Sequence, residues 1–354
     1  MAYTTIDNPA EHFQVVTWTG NGTDDRAINI DMQPDLVWWK HRTSASYWHY
    51  LVDSSRGKGN QIYANGNNAE GTHSGGHVKS YTSTGITLDD DQAINHPSTT
   101  YVGWMWKANG SSTTTNDASS TGVGSEDSVY QANTTAGFSI VTYTGTGAID
   151  TFAHGLGKVP NMMIIKNRAD DLNWVVYHSG LNLWTKDLIY FNLNNAQNDH
   201  DPTFNNTAPT SSVFTVGAYT PSNDSGDNHI AYCFADIQGY SKFGSYTGNG
   251  NADGVFVYTG FAPAWVIQKR TNSSTEAHWH IFDIKRNTKN PRNTRLEGNN
   301  AFGDSTGEGM DFVSNGFKLR SNDVRYNGSD DTYIYMAFAE HPFVSSEGVP
   351  CTAR

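Results

Sequence analysis

The chain has 354 residues, 36% hydrophobic and 16% charged, which places it among globular proteins of two or three domains rather than disordered or membrane-spanning ones. Its 23 basic and 35 acidic residues leave a net charge of -12, and a field of that sign repels a polyanion, so no nucleic-acid partner is expected. No run approaches the ~18 to 20 apolar residues of a spanning helix, and the start lacks a basic end followed by an apolar stretch.

Neither membrane insertion nor signal-peptide export is therefore expected. Cys233 and Cys351 form neither a disulfide framework nor a Cys-x-x-Cys metal motif. Low charge with 34 Gly, 10 Trp, 18 Tyr and 16 Phe is the profile of strands and tight turns.

In chain order, residues 1–12 read as an N-terminal arm. A first unit, 13–107, opens on Phe13-Gln-Val-Val-Thr-Trp-Thr-Gly-Asn-Gly22. It continues through Pro34, an apolar strand from Leu36 to Arg42 that carries Lys40, Trp48 heading another strand, and Ile62 three residues before Asn65. It closes on Tyr101-Val-Gly-Trp-Met-Trp106. Residues 108–136 are rich in Ser, Thr and Gly, too small and polar to bury a core, and read as a flexible linker that leaves the first unit loosely attached.

A second unit, 137–238, repeats the order: Phe138-Ser-Ile-Val-Thr-Tyr-Thr-Gly-Thr-Gly147, Pro160, Met162 to Arg168 with Lys166, Trp174, Ile189 before Asn192, and a closing strand from His229 to Asp236. A third, 239–343, does so again: Phe243-Gly-Ser-Tyr-Thr-Gly-Asn-Gly250, Pro263, Trp265 to Arg270 with Lys269, Trp279, Leu296 before Asn299, and Tyr333 to Glu340. Each proline lies 12 or 13 residues after the glycine, and each tryptophan 14 to 16 after the proline. Residues 344–354 form a C-terminal tail. The expected architecture is all-β, with three tandem β-sandwich, jelly-roll-like repeats of about 100 residues.

The repeated Arg42, Arg168 and Arg270, with the lysines beside them, fit internal groups that hold strand ends through bidentate hydrogen bonds better than a cationic ligand site. Asp53-Ser-Ser-Arg56 and Asp283-Ile-Lys-Arg286 read as salt-linked turns, a spacing that the second unit breaks with His178-Ser-Gly-Leu181. Trp48, Trp174 and Trp279 have faces suited to a sugar ring, but a place in a repeated strand argues for core. Aromatics peculiar to one unit, Trp184, Tyr47 and Tyr326, are the better candidates for ligand contact.

His278-Trp-His280 puts two imidazoles on one strand face without further ligands at zinc spacing. Asp89-Asp-Asp91 and Asn223-Asp-Ser-Gly-Asp227 are oxygen-rich turns that do not match a calcium loop. No metal or cofactor is expected. Hydrolase, phosphate-binding and zinc-protease motifs are missing from the sequence. Cys233, aligned with Met105 and Ala337, reads as buried rather than nucleophilic.

Several segments resemble a family of phage virion proteins from phages of marine bacteria and cyanobacteria, described as tail-fibre or structural proteins. They are His154-Gly-Leu-Gly-Lys-Val-Pro160, Ile164-Ile-Lys-Asn-Arg168, Ile230-Ala-Tyr-Cys-Phe-Ala-Asp236, Gly239-Tyr-Ser-Lys-Phe-Gly-Ser-Tyr-Thr-Gly-Asn-Gly250 and Tyr333-Ile-Tyr-Met-Ala-Phe-Ala-Glu340. The first unit departs from the pattern at Ile30-Asp-Met-Gln-Pro34. The resemblance implies a non-enzymatic structural protein on the outside of the virion, synthesised in the host cytoplasm. Its expected partners are other virion proteins and a host-surface glycan or receptor. A tail fibre or adhesin is the first expectation, a capsid decoration or head fibre the second, and a glycan-cleaving tailspike the third. Homo-oligomers, trimers first, are expected because multivalency turns weak contacts into adhesion.

Overall fold

The computed structural model describes residues 2–181 and 187–351. The protein is all-β: among the described residues, its α-helices are single turns of four residues. Three large antiparallel sheets carry the fold, and each places five strands in the same spatial order. An opening strand (Phe13–Thr19, Phe138–Thr144, Ser241–Thr247) pairs with the closing strand (Thr100–Trp106, Asn228–Phe234, Thr332–Pro342). The closing strand pairs in turn with the proline-led strand (Leu36–His41, Met162–Asn167, Phe261–Arg270). A fourth strand (His49–Asp53, Val175–His178, His280–Asp283) and a fifth (Asn60–Tyr63, Asp187–Tyr190, Arg292–Glu297) follow.

Each sheet is buried on both faces, and the two-residue period of a strand decides which side chain goes where. In the closing strands Val102, Trp104 and Trp106, Ile230, Tyr232 and Phe234, and Ile334, Met336 and Phe338 all enter one common core. The residues between them turn the other way: Tyr101 and Met105, Ala231 and Cys233, Tyr333 and Tyr335 fill three separate outer cores. Each outer core is roofed by small strands, such as Arg26–Asn29, Val78–Thr82 and Gly85–Leu88 in the first unit. The common core is closed, its void of about 20 Å³ amounting to roughly one water.

The picture of separate sandwiches joined by a linker is thereby corrected. Residues 108–136 carry strands Thr114–Asn116 and Ser128–Asn133, and the second of these pairs with Phe138 to Tyr143 of the second sheet's opening strand. Asp35 accepts from the backbone N–H groups of Ala108, Gly110 and Ser111 at 2.7 to 2.9 Å, and Gln131 donates to Ser54 and Ser55. Small polar residues suit such an edge because the backbone makes the ladder whatever the side chains. The first unit is not loosely attached either. Without residues 1–107 the common core would lose Phe13, Trp38, Trp104 and Trp106, so the other two units could not stay packed as they are. The described part of the arm, 2–12, is docked too, Tyr3 donating to the Gly260 carbonyl of the third unit at 2.9 Å, Thr4 to the Gln238 carbonyl at the end of the second at 2.8 Å, and Asp7 accepting from Ser346 N–H in the tail at 2.6 Å.

Polar clusters join the sheets at equivalent points. Between the first and second, Tyr232 donates to Asp53 at 2.8 Å, Asp53 binds Arg56 at 2.6 Å, and Glu70 takes Arg56 at 2.7 Å. Glu70 also takes both arms of Arg168, at 2.8 and 2.9 Å. Between the third and first, Trp104 donates to Asp283 at 3.3 Å, Asp283 binds Arg286 at 2.6 Å, and Asp304 takes Arg286 at 3.0 Å and Arg42 at 2.8 Å. Burial opposes the charge on Arg56, but Asp53, Tyr232 and Glu70 outweigh it and hold the guanidinium firmly protonated. Among the described residues, the second and third sheets meet without such a cluster. His178 and Leu181 stand where the Asp and Arg would be, and the facing closing-strand residue is Met336, which has no proton to donate. Arg270 binds Asp331 of its own unit at 2.5 Å.

His178 is fully buried and satisfied as a neutral ring, Nε2 donating to the Tyr335 carbonyl at 3.1 Å and Nδ1 accepting from Gly180 N–H at 2.9 Å. Burial pushes its pKa from 6.5 down to about 4, as it does for His154. A depressed folded-state value means that the unfolded chain binds the proton more tightly. Stability is therefore complete above pH 6.5 and falls as the pH drops through about 4. Urea unfolding at pH 7 and pH 4 is expected to show a loss of about 3 kcal/mol per such histidine, and His178→Gln is expected to remove one share of it; an unchanged pH slope in that variant contradicts the assignment. Arg56→Met, which strands a buried carboxylate, is expected to cost about 3 to 5 kcal/mol. Combining Asp53→His, Arg56→Leu and Tyr232→Met, the set used between the second and third sheets, should cost less than Arg56→Met alone.

Candidate functional site

The repeated asparagine shows which residues correspond at the head of the fourth strand. Asn192 and Asn299 accept from the backbone N–H of Trp174 and Trp279 at 3.0 and 2.9 Å, whereas Asn65 accepts from His49 at 2.7 Å, not from Trp48. The structural counterpart of Trp174 and Trp279 is His49. A one-residue shift on a strand moves a side chain to the opposite face. Trp174 and Trp279 are fully buried between sheets, their indoles donating to the carbonyls of Tyr63 and Gly66 and of Tyr190 in the preceding unit. Trp48 is 39% exposed, correcting the expectation that all three are core. The missing volume is restored from the neighbouring strand, where Trp38 replaces Ile164 and Ile267 and donates to His49 Nδ1 at 3.0 Å.

Trp48 begins a run of aromatic contacts across the outer face of the first unit. Its ring lies 5.4 Å from Tyr63, Tyr63 lies 5.5 Å from Tyr50, and Tyr50 lies 5.3 Å from His77. Gly66 lets the indole come close to the backbone, since a Cβ there would lie 2.8 Å from the ring. Tyr47, half-buried, stacks on His41 at 4.7 Å and donates to Gln92 at 3.3 Å. His73, His77, Asp89 and Asp91 complete this face, and donor atoms of His73, His77 and Asp91 lie close enough to share one metal ion. Burial and the His73 ring bring His77 down to about 4, and burial raises Asp89. An exposed aromatic ring at the head of a strand, linked through Tyr63 and Tyr50 to a nest of imidazoles and carboxylates, can stack on an apolar sugar face.

The other sequence candidates lie elsewhere. Tyr326 is 1% exposed in the outer core of the third unit and is unavailable to a ligand, because its ring packs edge-on against His280 and Phe282. Trp184 lies outside the described residues. Pro34 and Pro160 are buried just before their strands, and Pro263 is buried within its own, where the register shifts. Lys40, Lys166 and Lys269 are buried against backbone carbonyls, Lys40 donating to His41 and Ser44 at 2.8 and 3.0 Å. Burial lowers the first two to about 8 and the third to about 7. Burial likewise holds the Cys233 thiol well above its usual range.

His278 and His280 share one carboxylate, Glu297, at 3.9 Å each. Asp224 and Asp227 meet Asp170, all at the surface or half-buried. The sequence does not single out the His73 and His77 pair, because its carboxylate partners come from Asp89-Asp-Asp91, an oxygen-rich turn that does not match a calcium loop. The spacing of two histidines across Ser-Gly-Gly was the available signal.

A family model described as a domain of unknown function (DUF7483) matches residues 8–342, and the chain belongs to that family. No curated protein matches the sequence.

Trp48→Ala and Trp174→Ala separate the two environments. Thermal and urea unfolding are expected to show a loss of about 3 to 5 kcal/mol for Trp174→Ala and a small change for Trp48→Ala; equal losses contradict the register shift.

Proposed function

We propose that this chain is a non-enzymatic phage virion protein, displayed on the outside of the particle as a tail fibre or adhesin, and that the Trp48 face of its first unit contacts a glycan on the host surface. The observation that carries this reading is the exposure of Trp48 just before a strand whose counterparts in the other units are headed by a tryptophan sealed between sheets. Large exposed rings cost solvation and are retained where they bind. The resemblance of the Gly239 to Gly250 and Tyr333 to Glu340 segments to phage tail-fibre and structural proteins supports the setting. A closed core supports the role, since preorganised loops lose little entropy on contact.

Attachment to other virion proteins and assembly into trimers belong to the same proposal, each copy offering one Trp48 face and the set binding by avidity. A reconstruction of the native particle by electron cryo-microscopy is expected to place the chain at the tail with this face distal. Density on the capsid lattice would instead make it a decoration or head-fibre protein. In particles assembled with Trp48→Ala, adsorption to host cells should fall by roughly 30-fold per contact, the effect of truncating a central aromatic anchor. Unchanged adsorption by a folded variant removes Trp48 from the contact surface.

A further inference from the structure

Four side chains on the outer face of the first unit converge in a way that their own hydrogen bonds do not explain. His73 and His77 border the turn His73-Ser-Gly-Gly-His77, which leads into Val78–Thr82 and contains Gly76 at φ 70°. Asp89 and Asp91 follow the partner strand, Gly85–Leu88, and Asp91 caps the helical turn Gln92–Asn95 by accepting from Ala93 N–H at 2.7 Å. The antiparallel pairing of these two strands brings the turn and the carboxylates together.

The two imidazoles stack with centroids 4.1 Å apart. His73 Nε2 lies 3.5 Å from Asp91 Oδ2, His77 Nδ1 3.6 Å from Asp91 Oδ1, and His73 Nδ1 3.5 Å from Asp89 Oδ2. These separations are at or past the limit of a hydrogen bond. Both Nδ1 atoms are buried without a partner, and the side chain of His77 is 4% exposed. Buried ring nitrogens left unpaired beside two carboxylates are costly unless something sits between them.

The spacing fits a metal ion. One donor atom from each of His73, His77 and Asp91 falls within 4.8 Å of the others. A tetrahedral ion with nitrogen and oxygen ligands at about 2.0 to 2.2 Å sets neighbouring donors about 3.4 Å apart. Mixed imidazole and carboxylate ligands suit zinc or a similar transition metal, whereas calcium and magnesium prefer oxygen alone.

We infer that His73, His77 and Asp91 bind one divalent transition-metal ion, zinc by ligand type, and that Asp89 orients His73 through Nδ1. The ion ties the turn before Val78–Thr82 to the turn after Gly85–Leu88. Side-chain exposures of 30% at His73 and 36% at Asp91 leave the fourth coordination position facing solvent. The cluster of Asp170, Asp224 and Asp227, one exposed and two half-buried, has no buried unpaired ligand atom and carries no such inference.

The test uses the full chain, stripped with a chelator and dialysed, and titrated with zinc by calorimetry and with cobalt by visible absorption. Binding of one ion per chain, with the ligand-field bands of a four-coordinate cobalt site, is expected, along with a rise in melting temperature on adding zinc. His73→Gln and Asp91→Asn, both at partly exposed positions, should abolish binding while circular dichroism stays native. Asp89→Asn, a positioning change, should weaken it by roughly 10- to 100-fold, and His278→Ala should leave it intact. Absence of stoichiometric binding by the native chain, or binding that survives both His73→Gln and Asp91→Asn, overturns the inference.

Discussion

Burial of three sheets on both faces is the constraint from which the rest of this structure follows. A sheet buried once can face water with its other side, and its strands alternate apolar with polar. These closing strands cannot. Ile230, Ala231, Tyr232, Cys233 and Phe234 are all buried, alternate residues going to the common core and to the second unit's own core. A shared core means that any cavity or unpaired polar group near the junction is felt by all three sheets. The junction is accordingly filled with aromatic rings, Trp106, Trp265 and Phe338 meeting edge-on or tilted at 5.7 to 6.1 Å. Polar contacts at the seams are complete sets or are replaced whole: an acid with its arginine and its donor, or a histidine with a leucine and a methionine.

The first unit departs from the other two, and each departure has a physical counterpart. Its histidine at the Asn-capped position leaves a space that Trp38 fills from the next strand. Trp48, one residue earlier, is turned outward, and the outer face gains an aromatic run that ends in the imidazole and carboxylate nest. The added segment Ser128–Asn133 extends the second sheet next door and, through Gln131 and Asp35, holds the seam beside it.

Much of this was legible in the chain because repeated polar landmarks have repeated jobs. The asparagine after each Ile or Leu accepts from the head of the fourth strand, Arg168 holds a carboxylate in two-armed fashion, and Asp53 with Arg56 and Asp283 with Arg286 are the salt-linked turns that their spacing suggested. What was not legible depends on face and on distance. Trp48 sits at nearly the right spacing in sequence, yet one residue on a strand is half a period, and spacing alone does not tell a buried ring from an exposed one. The common core was hidden because a strand buried on both faces has the same apolar run whether its second cover is its own small sheet or another unit. Strands within 108–136 were hidden because their stability comes from backbone pairing and from caps on Asp35 and Gln131. Tyr326 misled for a related reason, since a residue peculiar to one unit can be peculiar in its core.

The central claim is that the three sheets form one cooperative body around a shared core. Differential scanning calorimetry of the intact chain tests it most directly. One reversible transition whose van't Hoff enthalpy matches the calorimetric enthalpy is the predicted result. Two or three resolved transitions, with the first unit melting apart from the others, would contradict it.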